Sequence, residues 1–213
     1  MAFVTYDRYP GLVLVVSPAH KDEIKTIADL AGKKVGVSAP GSSTDFFLKY
    51  LLKIDAAVML DPSVTLLQGK FKDLKILSDT RTQKDTQAVF GGDYPGGALY
   101  TKAEWIEKHP KETQGLTTAI VNTLALIHSH TPQEVMEKMP QNLVGPDKAG
   151  YLEALKNTIP MYSTTGKMDP KGAAAVLAVF SLSSPDVAKA NIDVSKTYTN
   201  KYVEAVGKTS GMK

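Results

Sequence analysis

Gly41-Ser42-Ser43-Thr44 is the segment whose residue types could do the most chemistry. It follows an expected strand at residues 34–38 and a turn at Ala39-Pro40-Gly41, and it places three hydroxyl residues where a helix would begin. Ser and Thr are good helix N-caps. The start of a helix also offers free backbone N–H groups and about half a positive charge, which suits a sulfonate, phosphate or carboxylate. The same residues serve equally well as caps of their own helix, so both readings stand. Asp61 precedes Pro62 at the carboxyl end of an alternating stretch, residues 54–60. There it either meets a ligand ammonium or hydroxyl or opens a turn. Tyr6, Arg8, Arg81 and Tyr94 are further polar or aromatic groups in or near expected loops.

Several chemistries are excluded by what the sequence lacks. It contains no cysteine, which removes disulfides, thiolate metal sites and cysteine nucleophiles together. Its four histidines form no metal-ligand pattern: His128 and His130 lie two apart, on different sides of a helix. Gly41 has no partner glycine for a dinucleotide fingerprint, no Gly-Lys-Ser/Thr follows it, and there is no Gly-x-Ser-x-Gly elbow. No catalytic residue, metal or cofactor is therefore expected. The net charge of +3 is dispersed among mixed signs, which argues against a nucleic-acid stripe. The longest apolar run, residues 12–16, is too short to span a bilayer, and no basic stretch precedes it as in a signal peptide. An exported form would have had its signal removed.

The elements that must position these residues follow from periodicity. Residues 3–16 are β-rich around Arg8-Tyr9-Pro10-Gly11, and residues 12–16 read as a buried strand. Further strands are expected at 34–38, 54–60, 74–77, 87–90 and 98–100, with a glycine-rich loop at 91–97. From residue 102 the pattern is helical, with Leu116, Ile120, Leu124 and Ile127 on one expected face of a helix at 114–129. Thr131-Pro132-Gln133-Glu134 is a capping box, and Asp169-Pro170, Ser184-Pro185 and residues 200–206 mark later helices. Early alternation of strands and helices predicts an α/β fold with a mainly parallel sheet flanked by helices. A helix running into the strand at 54 without an intervening loop is awkward, because such loops usually take about 2 to 6 residues. Missing residues are expected between Lys53 and Ile54.

Asp29-Leu30-Ala31-Gly32-Lys33-Lys34-Val35-Gly36-Val37 followed by Gly41-Ser42-Ser43-Thr44 resembles the signature of type II periplasmic binding proteins, which serve taurine, alkanesulfonates, nitrate and thiamine-precursor pyrimidines. Ile54-Asp55-Ala56-Ala57-Val58 and the tail from Thr197 to Val203 resemble later blocks of that family. The resemblance implies two lobes enclosing a solute, with residues 1–30 leading through the hinge, 31–100 forming the second lobe and 101–213 returning to a first lobe that is incomplete here. It further implies a segment before Phe3, periplasmic or lipid-anchored extracellular placement of the precursor, and an ABC transporter permease as partner. The expected function is capture of a small organic anion or polar molecule for import, by Gly41, Ser42, Ser43, Thr44, Asp61, Arg8 and Tyr94. The alternatives are a pyrimidine-precursor-synthase-like enzyme on the same fold and a sensory ligand-binding domain.

Overall fold

The computed structural model describes residues 1–37, 57–70, 72 and 75–209. Gly41, Ser42, Ser43 and Thr44, the helix expected behind them and the junction at Lys53-Ile54 lie outside these residues.

Two hydrophobic cores organise the chain. The first surrounds strand β2 (Val13–Val16), whose unbroken apolar run suits a central strand covered on both faces. Leu12, Leu14 and Val16 pack there with Ile24, Leu30 and Val58, and Leu77, Val89 and Phe90 close the edges. The second joins strand β1 (Ala2–Thr5) to the helical half. Phe3 and Val4 meet Ile106, Tyr202 and Val203, with Trp105, Ile120 and Val121 around them.

The sheets correct the expected architecture. β2 is antiparallel to both its neighbours, β3 (Ala57–Met59) and β4 (Lys75–Asp79), in the order β3-β2-β4. β1 pairs antiparallel with β5 (Ala98–Tyr100) in a separate two-stranded sheet. The mainly parallel, two-lobed type II periplasmic-binding-protein architecture is therefore overturned, and with it the family assignment drawn from the short sequence blocks that implied this architecture. The physical reason lies in neighbour order. β3, helix α1 (Ser63–Lys70) and β4 do alternate along the chain. The strand standing between β3 and β4, however, is β2, contributed earlier in the sequence and running the other way. Alternation of elements reports sequence order and cannot show which strand is inserted.

Local expectations fail in two instructive places. Residues 87–90, expected as a strand, end helix α2 (Gln83–Phe90). Thr82 caps this helix by accepting from the Asp85 N–H, and Gly91 closes it at φ 75°. A cap at each end outweighs the β-propensity of Val89 and Phe90. Residues 34–37 form no regular strand, although the Gly36 carbonyl accepts from Val58 N–H at 3.0 Å.

The remaining helices are α3 (Ala103–Lys108), α4 (Pro110–Ser129), α5 (Pro132–Lys138), α6 (Gln141–Val144), α7 (Lys148–Thr158), α8 (Pro170–Ser183), α9 (Pro185–Lys189) and α10 (Lys201–Thr209). The Thr131–Glu134 capping box forms as its sequence predicts. In α4 the buried face carries Thr113, Thr117 and Leu124, while Leu116 is exposed. The two threonines tolerate burial because their hydroxyls bond back to the His109 and Thr113 carbonyls, at 2.8 and 2.7 Å. No helix among the described residues is long and apolar enough to cross a membrane.

Candidate functional site

The segment between β1 and β2 links the two cores, and its backbone is fixed from several directions. Tyr6 N–H donates to the Gly97 carbonyl at 3.2 Å, and Arg8 N–H donates to Met161 at 2.7 Å. Ser163 N–H donates to the Tyr6 carbonyl at 2.9 Å, and an isolated antiparallel bridge joins Asp7 to Tyr162. Gly97 must remain small, because a Cβ there would lie on the Tyr6 ring. These backbone bonds fix the positions from which Tyr6, Asp7 and Tyr162 project their side chains.

A cavity of about 440 Å³ opens beside this segment. The chain approaches it from five segments, one of them Leu60 and Asp61 after β3. The linker supplies Tyr6, Asp7 and Gly11; the end of α2 and its loop supply Phe90 and Tyr94. The turn after α7 brings Met161 and Tyr162, and α8 brings Val176, Val179 and Phe180. Helix α8 is set by Asp169, which accepts from Gly172 N–H at 3.0 Å, with Pro170 in its first turn. Phe90 and Tyr94 stack with ring centroids 4.1 Å apart. The lining is predominantly apolar, with a few polar groups, as small-molecule sites generally are.

Asp7 is the polar centre. Its burial pushes the carboxyl up to about 7, because the low-dielectric surroundings penalise the charged form. No hydrogen-bond donor among the described residues reaches its carboxylate. No buried side-chain oxygen or nitrogen among them lacks a partner, so the carboxylate oxygens must open onto cavity space. The flanking phenols respond in kind: burial, and then the charge of Asp7, raises the pKa of both Tyr6 and Tyr162.

Asp61 lines the same cavity but is differently placed. Its side chain is only 2% exposed and accepts from Arg81 Nη1 at 2.6 Å and from Thr65 N–H at 2.9 Å. Arg81 also makes a forked pair with Asp79, Nη2 to Oδ2 at 2.6 Å and Nε to Oδ1 at 2.9 Å. Burial alone would lower the guanidinium's pKa; the bonds to Asp79 and Asp61 reverse this and raise it.

Arg8 and Tyr94 sit on opposite sides of the linker's neighbourhood. Tyr94 faces the 440 Å³ cavity, whereas Arg8 lines an adjoining, more polar cavity of about 530 Å³ and bonds Asp93 at 3.1 Å. Asp7 lines both. Much of the polar lining of the larger cavity is already engaged. Asn200 bonds both backbone groups of Met168, Lys167 bonds Glu204 at 3.2 Å, and Asp169 caps α8. The smaller cavity therefore has the greater capacity for a ligand. Asp7 and Tyr162 were not singled out from sequence. A carboxylate set inside the apolar, β-rich run from Phe3 to Val16, next to Tyr6, was the available signal.

The whole chain superposes on a solved structure of a protein from Bordetella bronchiseptica RB50. The TM-score is 0.88 with 30% sequence identity, over 98% of this chain and 74% of that one. The chain belongs to that protein's family. No protein-family profile and no curated protein matches the sequence. This likeness gives no support for an ABC importer, a permease partner or a taurine-, sulfonate- or nitrate-type ligand. With the antiparallel sheets, it leaves the import function and its same-fold alternatives corrected rather than sustained.

Proposed function

We propose that this family member is a non-catalytic binding protein for a small, largely apolar molecule, held in the 440 Å³ cavity and oriented by Asp7. The observation that carries the reading is the convergence of apolar side chains from five chain segments on one carboxylate with no donor among the described residues. A partly buried carboxylate with no donor among the described residues, opening into a largely apolar cavity, is a ready partner for a ligand donor. A binding role is favoured over catalysis by the company Asp7 keeps: two phenols of raised pKa flank it, and the second carboxylate, Asp61, is committed to Arg81 and Thr65.

The test is calorimetry against a panel of small ring compounds, with the bound compound then recovered and weighed by mass spectrometry. Binding that leaves the compound unaltered, and that disappears when Val176→Trp fills the cavity, is the expected result. A recovered compound that has been chemically changed, or affinity untouched by Val176→Trp, defeats the reading.

A further inference from the structure

We propose that the ligand is a ring-bearing organic cation, with its ammonium N–H groups on the Asp7 carboxylate and its ring among the surrounding aromatic faces. The proposal rests on the cavity reading above and adds the charge class of the ligand.

The lining carries the argument. Among the described residues it contains two carboxylates, Asp7 and Asp61, and no lysine, arginine or histidine. It also contains Tyr6, Phe90, Tyr94, Tyr162 and Phe180, whose ring faces are negative and attract a desolvated cation. The basic groups close by are turned elsewhere. Arg8 holds Asp93, and Arg81 is shared by Asp61 and Asp79 in a triad of net negative formal charge. Lys167, across the adjoining cavity, holds Glu204. An anionic ligand would bring a like charge against Asp7 in a site with low-dielectric walls. A cation would supply the donor that the carboxylate lacks.

Binding of a cation to Asp7 depends on pH. The groups facing Asp7 are Tyr6 on its own segment and Tyr162 across the bridge, with Tyr151 behind it. Arg8 and Asp93, with Lys167 and Asp169, line the adjoining cavity, and Asp61 lies across the nearer one. Burial and the Asp7 charge hold Tyr6 and Tyr162 above the ordinary phenol range, so neither competes for the proton near neutrality. With burial pushing the Asp7 carboxyl up to about 7, a protonated amine must displace a proton from it to bind at lower pH.

Three probes of matched shape decide the matter: 2-phenylethylamine, 2-phenylethanol and 3-phenylpropionate, titrated calorimetrically into the full chain and its variants. The amine is expected to bind at least tenfold more tightly than the alcohol or the carboxylate. Its affinity should fall roughly thirtyfold between pH 8 and pH 5.5. Asp7→Asn should abolish the preference for the amine, and Val176→Trp should abolish binding altogether. If the alcohol or the carboxylate binds as well as the amine, and Val176→Trp still removes it, the cationic assignment is overturned while the cavity reading stands. If none of the three binds the wild-type chain at millimolar concentration, both are overturned. Because Asp7→Asn removes a buried charge, misfolding is not its expected outcome. Circular dichroism and the carboxyl NMR titration of the remaining acids confirm the fold independently.

Discussion

Asp61 and Asp7 are two carboxylates on the wall of one cavity, and they are solved in opposite ways. Asp61 is closed off at 2% side-chain exposure, with Arg81 and Thr65 N–H as its partners. Asp7 is more open, has no donor among the described residues and has its carboxyl raised to about 7. A paired carboxylate of the first kind holds elements together: Asp61 stands after β3, Asp79 at the end of β4, and Arg81 clamps the two across the sheet. An acid of the second kind, raised by burial and without a donor among the described residues, costs stability and marks a candidate binding site. The contrast separates structural from functional acids more sharply than burial alone could. The largest effect should come from breaking the paired one. Arg81→Ala leaves the buried Asp61 and the partly exposed Asp79 without their shared cation and should destabilise the fold by about 3 kcal/mol, read from urea midpoints. A loss below about 1 kcal/mol would show that the triad is no clamp.

The opposite sign is expected at Asp7. Its folded pKa of about 7 lies above the unfolded value near 4, so the folded state binds the extra proton in between. Stability therefore falls as pH rises from about 4 to 7, and the full penalty is present above 7. Asp7→Asn has no proton to lose. It should leave the chain more stable than wild type at pH 8, on the order of 2 kcal/mol after allowing for solvent in the cavity, with the gain vanishing near pH 4. Glu23, Asp29, Glu134 and Asp193, whose pKa values are lowered mainly by their local hydrogen bonds, contribute equally to both proteins and cancel in the difference. Urea melts at pH 4, 6 and 8 measure it. A constant difference across that range would mean that Asp7 does not carry the strain.

The sequence showed some of this and hid the rest for identifiable reasons. The strand at 12–16, the Thr131 capping box and the helix starts at Pro170 and Pro185 were legible, because each depends on a few adjacent residues. The antiparallel neighbours of β2 were not, since its pairing with β3 and β4 joins segments more than 40 residues apart. A resemblance built on short blocks could not reveal that order. Of the residues singled out beforehand, Asp61 and Tyr94 do meet at one cavity, Arg8 lines its neighbour, and Gly41 to Thr44 fall outside the described residues. Asp7 stood between Tyr6 and Arg8 in plain view. Its importance comes from Tyr162 and α8, which reach it from more than 150 residues away.

Arg8 makes the smallest and most discriminating perturbation. It is the residue next to Asp7 and could neutralise it, yet its guanidinium is drawn to Asp93 at 3.1 Å and lies over the Tyr9 ring at 5.3 Å. Gln83 also donates to Asp93, at 3.3 Å, fixing that carboxylate as the anchor. Half-exposed pairs of this sort are worth little to stability, so Asp93→Asn should shift the unfolding free energy by less than about 1 kcal/mol. Its effect belongs instead on Asp7. With its anchor neutralised, Arg8 is free to turn toward the cavity that both residues line, placing a positive charge beside the carboxylate. The Asp7 titration, followed by carboxyl carbon NMR, should then move below 7, and affinity for 2-phenylethylamine should weaken because the site already holds a cation. An Asp7 titration unmoved by Asp93→Asn would mean that the linker backbone, rather than the Arg8–Asp93 pair, keeps the two neighbours apart.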